Sequence, residues 1–386
     1  MVPPLVLVAF FDEAWSGVPV VDAPAIEAEH GLSHGLTALL ILTMPQLLGA
    51  VLEARVLLWA HRGHAKRYAV GGLLALAVAV ALAAWAPSPW ILGLALALAG
   101  PASGVACALA EGALVEADPS RREVEMTRWT LAGALGDLLA PTLVAGVGVA
   151  GLGWRTAMLV VAGALGLYAL WLSRRELAGL PSGEGDDGDD DDDGPQDLRS
   201  TLENRTLVWW LVGTTSCALL DEILVALAAL RLRQDLHAPE AVTGFALGAW
   251  AFGAGVGLLA TQWLLRHVAP RRLLVVAGVA CTLASSSWLW TSSPLGVTLG
   301  IFAIGLTAAP LYPVATAQVY AACPGRPALI GAAEQVFAPI EIALPWLVGA
   351  LADRVGLQWA LVGLALQPIV LGTLALRAWP RSRPRR

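Results

Sequence analysis

The sequence predicts an all-α membrane protein with twelve transmembrane helices in two six-helix bundles. Three observations support this fold class. The chain has 386 residues, of which 57% are hydrophobic and only 14% charged, whereas soluble domains usually contain about 25% charged residues. Its apolar runs reach the length of about 20 residues that a membrane-crossing helix needs, and about twelve such runs fit the chain. An acidic stretch divides the runs into two sets, and acidic residues recur at matching places in both.

Apolar runs between proline, glycine and charged residues define the individual spans. In the first half we expect helices at 4–25, 36–60, 68–86, 90–115, 126–149 and 155–173. In the second half we expect helices at 206–230, 241–265, 272–291, 295–321, 328–350 and 357–378. The domains predicted from these spans are an N-terminal bundle at 1–173, a linker at 174–205, a C-terminal bundle at 206–379 and a basic tail at 380–386.

The linker contains the run Asp-Asp-Gly-Asp-Asp-Asp-Asp-Asp at 186–193. A low-complexity acidic segment cannot bury a core, so we expect the linker to be solvated and disordered. The distribution of arginine and lysine places it in the cytoplasm. Most positive residues fall in loops on that side, and the outer loops contain Arg155, Arg231, Arg233 and Arg354. We therefore expect a multi-pass protein of the cell (inner) membrane with both termini in the cytoplasm.

The two halves repeat their intramembrane acids. An ionised carboxylate in the bilayer costs at least about 2.5–3.5 kcal/mol, so charges placed twice at equivalent positions predict a two-fold transport site. Adjacent residues on a helix point about 100° apart, so at most one member of an acidic pair faces a central cavity. The repeated features are the pairs Asp12-Glu13 and Asp221-Glu222, and the groups Asp137 to Pro141 and Glu341 to Pro345.

The two halves also resemble each other in the short basic loops that follow the second and eighth spans. His61-Arg62 through Lys66-Arg67 parallels Arg266-His267 through Arg271-Arg272. Two six-span halves in one orientation, joined by a long cytoplasmic linker, resemble the major facilitator superfamily over essentially the whole chain. The resemblance implies a transporter whose first, fourth, seventh and tenth spans line the cavity.

The chain departs from that family's pattern in three places. His61 stands where the loop after the second span usually has an aspartate. The fourth span lacks the arginine of many proton-driven exporters, and Gly133-x-x-Gly136-Asp137 is only loosely similar to the motif of antiporters. The motifs therefore assign no subfamily.

Acidic residues in the midsections of the spans predict a site for substrate and ions. Trp15 shares a helical face with the first acidic pair and is a candidate cation–π partner for an organic cation, or a packing residue. Glu334 precedes Glu341 by two turns and is expected on the same face. The candidate binding residues are Asp12, Glu13, Trp15, Asp137, Asp221, Glu222, Tyr312, Glu334 and Glu341. The candidate gate residues are Glu53, His61, Arg62, Glu111 and Arg128. For each acid the alternative is a hydrogen bond that packs two helices.

The surplus of acids over bases in the midsections predicts a cationic or neutral solute, because an anion would favour arginine. We predict alternating-access transport, with proton-coupled export of a cationic or amphipathic compound. The alternatives are proton-coupled uptake of a neutral solute or peptide and, in a different class, a polytopic membrane enzyme or lipid-handling protein. The histidines lie in loops or at span ends without metal-site spacing, so we expect no catalytic residue, metal or cofactor. The expected partners of this monomer are a small-molecule substrate, protons and membrane lipids, but no nucleic acid.

Overall fold

A computed structural model of the chain describes residues 4–61, 64–177, 179–180 and 194–377. Regular structure in these ranges is helical, apart from an isolated bridge between Leu177 and Leu180. Among the described residues, 11 helical segments are long and apolar enough to cross a membrane. Helix α1 (Val6–Val21, 16 residues) precedes them and completes the predicted twelve. The predicted all-α membrane fold is confirmed.

The helices of the first half follow the predicted spans closely. After α1 come α2 (Ala23–His30), α3 (His34–Ala38), a π-helical turn (Leu39–Thr43), α4 (Met44–His61), α5 (Ala65–Trp85), α6 (Pro89–Ala117), α7 (Arg122–Val149) and α8 (Trp154–Ser173). Short helix α2 lies in the loop between the first two spans. Helix α9 (Gly194–Leu202) follows the acidic run, which lies outside the described residues together with Arg62.

The spans of the second half are interrupted far more often. They comprise α10 (Arg205–Thr215), a 3-10 turn (Ser216–Leu219), α11 (Glu222–Leu230), a π-helical turn (Arg231–Asp235), α12 (Glu240–Leu264), α13 (Pro270–Leu289), α14 (Pro294–Ala308), α15 (Leu311–Ala322), α16 (Pro327–Glu334), α17 (Ala338–Val355), α18 (Leu357–Gly363) and α19 (Leu366–Arg377). The seventh, tenth, eleventh and twelfth spans are each built from two helical pieces. Discontinuous helices near mid-membrane are typical of substrate and ion sites in transporters.

Matching local signals begin the fourth and tenth spans. Ser88 precedes Pro89, and its hydroxyl accepts a hydrogen bond from the Ile91 amide at 3.4 Å. Ser293 precedes Pro294 and accepts from the Gly296 amide at 3.1 Å. A serine cap satisfies an amide that has no partner within the helix, and proline at the first helical position removes another. The sequence repeat therefore extends to the helix starts.

The chain folds into two compact units. The first contains the described residues of Met1–Ser120, Ala132–Thr201 and Cys323–Val336. The second contains those of Arg121–Leu131, Leu202–Ala322 and Phe337–Arg386. Each unit thus combines most of one sequence half with a short segment from the other. The eleventh span is divided between the units at its break, because α16 belongs to the first unit and α17 to the second.

Candidate transport site

Asp12 lies in the middle of α1 and is held by two hydrogen-bond donors in the first unit. The Trp15 indole N–H, one turn further along α1, is 3.1 Å from Asp12 Oδ1 and 3.1 Å from Ser103 Oγ. The Ser103 hydroxyl, on α6, donates to the same Asp12 oxygen. Because the Trp15 side chain is only 6% exposed, it supports Asp12 through its N–H group. Its role as a cation–π partner stays a prediction.

A polar stripe along α6 faces these acids. Ser103, Cys107 and Glu111 are spaced four residues apart and therefore lie on one helical face. The Cys107 thiol is within electrostatic range of Asp12, Glu13 and Glu111, and Glu111 is buried. Neither Ser103 nor Cys107 was among the predicted site residues. The four-residue spacing from Glu111 is the signal that could have identified them.

Glu13 turns away from Asp12 toward α7. A Cβ atom on Gly136 would lie 3.0 Å from the Glu13 Cβ, and one on Gly133 would lie 3.8 Å from its Oε1. The two glycines therefore let α1 and α7 approach each other around the Glu13 side chain. The two adjacent acids thus meet different neighbouring helices, as their angular separation predicts. Asp137, the next residue on α7, is exposed near the middle of that helix, which continues through Pro141.

Glu53 is the most enclosed of the acids predicted for the gate. Its side chain is buried on α4, and its Oε2 accepts a hydrogen bond of 2.7 Å from Gln335 Nε2. Gln335 begins the break in the eleventh span and belongs to the first unit, as Glu53 does. Gln335 was not among the predicted site residues, because a glutamine gives no charge signal in a sequence.

The second acidic pair does not repeat the geometry of the first. Asp221 lies between the 3-10 turn and α11, with φ −100° and ψ −105°, and its side chain is exposed. The Leu220 amide before it donates to Gln367 Oε1 at 2.9 Å, which satisfies one main-chain group of the break. The expectation that Asp221 and Glu222 share a continuous helix is therefore wrong. The side chain of Glu222 lies outside what the structure describes.

Glu334 and Glu341 are also separated by a helix break. Helix α16 ends at Glu334, residues 335–337 form turns, and Glu341 lies in the first turn of α17. Because two-turn spacing places residues on one face only within a continuous helix, the expectation that they share a face is wrong. They belong to different units. Tyr312, predicted for the cavity side of the tenth span, is 36% exposed at the start of α15.

Of the remaining gate candidates, His61 and Arg128 lie near the ends of their helices. Arg128 donates to Glu125 Oε1 at 2.7 Å, so it pairs with an acid on its own helix. His61 ends α4 and is half-buried. In the second unit, Gln318 Nε2 donates to Glu123 Oε1 at 3.0 Å. The structure thus pairs Arg128 with an acid of its own helix, and its role in the gate stays a prediction.

Comparisons with known proteins place this geometry in a family context. Residues 210–386 match the family model of the Major Facilitator Superfamily. No curated protein sequence gives a significant match. FucP, the fucose:proton symporter of E. coli, in its outward conformation, is similar over 98% of this chain and 99% of its own, with TM-score 0.75 and 14% identity.

Two further solved structures have a similar fold. The proton:xylose symporter XylE, bound to 6-bromo-6-deoxy-D-glucose, matches 98% of this chain and 95% of its own, with TM-score 0.76 and 12% identity. A bacterial homologue of the iron transporter ferroportin, in an outward-facing state, matches 98% and 99%, with TM-score 0.75 and 13% identity. The family model covers the second half of the chain, and the likeness of fold covers nearly all of it.

Proposed function

We propose that this chain belongs to the major facilitator superfamily, whose family model matches its second half, and that it exchanges protons for a cationic or amphipathic organic solute. Transport would proceed by alternating access, and export is the proposed direction. The proposal assigns no enzymatic reaction to the chain.

The distribution of charge along the spans carries this proposal. The acids nearest the middle of the spans have no base at the same depth among the described residues. Arg55 and Arg128 reach deepest, and both lie within about two turns of the inner ends of α4 and α7. The acids concerned are Asp12, Glu13, Asp137, Asp221 and Glu341. A cavity lined by any of these acids would attract cations, whereas a carboxylate or phosphate substrate would require arginine.

The surroundings of Asp12 support proton coupling. Burial favours the neutral form of a carboxyl group, and access to water favours the ionised form. A transporter that alternately hydrates and dehydrates Asp12 would therefore load and release a proton. Ser103 can rotate its hydroxyl to donate to the carboxylate or to accept from the acid. The contacts to Asp12 therefore persist in both protonation states.

Proton-coupled uptake of a neutral solute is the second candidate. Two structural neighbours favour it, because FucP is a fucose:proton symporter and XylE is a proton:xylose symporter. We do not extend the proposal to a metal ion as cargo. Within the described part of the chain, no group of three or more His, Cys, Asp or Glu side chains has the arrangement of a metal site.

The positive-inside distribution supports an orientation with both termini in the cytoplasm. Ser33 and Ser120 are exposed in loops on opposite sides of the predicted membrane. In sealed cells with a cysteine-free background, an impermeant thiol reagent should label Ser33→Cys and leave Ser120→Cys unlabelled. The reverse pattern would overturn the orientation.

Vesicles containing the purified protein and a luminal pH dye test the function. A quaternary ammonium solute added outside should make the lumen more alkaline, because an exchanger expels protons as the cation enters. Quaternary solutes are needed because neutral amines cross the bilayer and alter luminal pH without a carrier. A neutral sugar that makes the lumen acidic would favour symport instead. No protein-dependent pH change across cationic, neutral and anionic solutes would refute proton coupling.

A further inference from the structure

The carboxyl group of Glu53 occupies a space created by two glycines. A Cβ atom on Gly49, one turn earlier on α4, would lie 2.5 Å from Glu53 Oε1. A Cβ on Gly104 of α6 would overlap all three atoms of the carboxylate. The side chain is only 8% exposed. The Glu53 carboxyl group therefore fits into the space that these two glycines leave. A larger residue at either glycine position would exclude it.

The partner of this carboxyl group comes from the eleventh span. Gln335 follows α16, and its amide nitrogen is 2.7 Å from Glu53 Oε2. Helix α16 packs closely in the first unit, since a Cβ on Gly331 would lie 2.9 Å from the Ala108 Cβ and 3.1 Å from Leu57 Cδ1. The chain leaves this unit after Val336. The Glu53–Gln335 bond therefore anchors α16 at its last turn, next to the break.

Among the described residues, the charged groups that act on Glu53 are acidic. Asp12 of α1 and Glu334 of α16 lie within electrostatic range, and α6 presents Gly104 at this point. An ionised Glu53 is thus buried beside like charges, and its interaction with Gln335 is limited to accepting N–H bonds. A protonated Glu53 carries no charge and can both donate to the Gln335 carbonyl and accept from its amide. Protonation therefore favours the closed contact, and ionisation favours separation and hydration.

We propose that Glu53 and Gln335 form a proton-controlled latch that retains α16 in the first unit while the acid is protonated and releases it on deprotonation. This inference rests on the proposed proton-coupled transport and adds Gln335 to it as a positioning residue. The latch links the protonation state of Glu53 on α4 to the position of α16. Helix α16 precedes the break at which the eleventh span passes to the other unit.

Hydrogen–deuterium exchange of the α16 amides in the full-length protein in detergent tests the latch without a substrate. After correction for intrinsic rates, the parent should exchange about two- to tenfold faster at about pH 9 than at about pH 5, the change expected for one hydrogen bond. Glu53→Gln mimics the protonated acid and should stay protected at both pH values. Gln335→Leu should lose the protection at about pH 5.

A matched control comes from the second unit, where Gln318 donates to Glu123. Gln318→Leu removes the same kind of bond and should leave α16 exchange like the parent. Equal α16 exchange of the parent at both pH values would overturn the latch. So would parent-like protection in Gln335→Leu at about pH 5. Absence of proton coupling in vesicles would instead refute the proposed function, so the two failures are distinguishable.

Discussion

Replacing Gly104 by alanine should break the Glu53–Gln335 hydrogen bond without touching either residue. The added methyl group would overlap the Glu53 carboxylate. Because the carboxylate is the end of a flexible side chain, it can rotate away while the α6 main chain stays in place. The 2.7 Å bond to Gln335 is then lost. A hydrogen bond between neutral groups contributes about 0.5–1.5 kcal/mol, so the free energy of unfolding at about pH 5, where the contact is closed, should fall by about that amount.

A double-mutant cycle of Gly104→Ala and Gln335→Leu measures the coupling energy between the two positions. If Gly104→Ala already breaks the bond, Gln335→Leu should cost little in that background, with a coupling energy of about 0.5–1.5 kcal/mol. Gly71→Ala is the matched control, because a Cβ on Gly71 of α5 meets nothing within 4 Å. It should be neutral or stabilising by up to about 1 kcal/mol, owing to the higher helix propensity of alanine.

Equilibrium unfolding in mixed detergent micelles, followed by tryptophan fluorescence, measures these differences. The reasoning is refuted if the costs of Gly104→Ala and Gln335→Leu simply add. It is also refuted if Gly104→Ala is as mild as Gly71→Ala, since the glycine space would then have no role in holding the carboxyl group.

Two further predictions concern contacts of Arg231 and Arg155 at the ends of helices. Arg231 is buried and donates three hydrogen bonds of 2.7–2.8 Å to main-chain carbonyls at the end of α13, with its guanidinium 4.9 Å from the centre of the Trp288 ring. Arg231→Leu should therefore lower the free energy of unfolding by about 3 kcal/mol or more, and Arg231→Lys should restore part of it; equal unfolding curves for parent and Arg231→Leu would contradict this role. The hydrogen bond from Arg155 lowers the pKa of Glu29 on α2 from its ordinary value of 4.5. This contact therefore adds to the free energy of unfolding above pH 4.5, and the added stability is lost as the pH falls through the lowered pKa. Unfolding measured from about pH 6 to about pH 3 should show less acid destabilisation in Glu29→Gln than in the parent, and identical pH dependence would exclude this contact as a contributor.

The positions of the spans could be predicted because the length of each run of apolar residues can be counted in the sequence. The predicted 90–115 and 155–173 became Pro89–Ala117 and Trp154–Ser173. The breaks could not be predicted in the same way. Residues 216–221 and 335–337 lie in apolar runs that read as continuous helix. Their ends depend on tertiary partners such as Gln367, which accepts from the Leu220 amide.

The acids of the candidate site were visible in the sequence, but their partners were not. A carboxylate in an apolar span stands out because its burial is costly. Ser103, Gln335 and Gly104 have no such cost, and their importance depends on which helices become neighbours. The divergence of Asp12 and Glu13 was predictable from helix geometry alone. The different setting of Asp221 was not, because the halves repeat in sequence while their main chains differ.

Transport driven by a pH gradient in vesicles, measured for four neutralised acids, tests the central claim most directly. Asp12→Asn, Asp137→Asn, Asp221→Asn and Glu341→Gln each keep the shape of the side chain and remove its titration. The amide group introduced by Asp12→Asn still offers an oxygen to the Trp15 and Ser103 donors, so the local structure should persist. The account predicts that at least Asp12→Asn loses gradient-driven transport while still binding substrate and exchanging it across the membrane. If all four variants respond to the gradient like the parent, these carboxyl groups do not carry the coupling proton, and the account is contradicted.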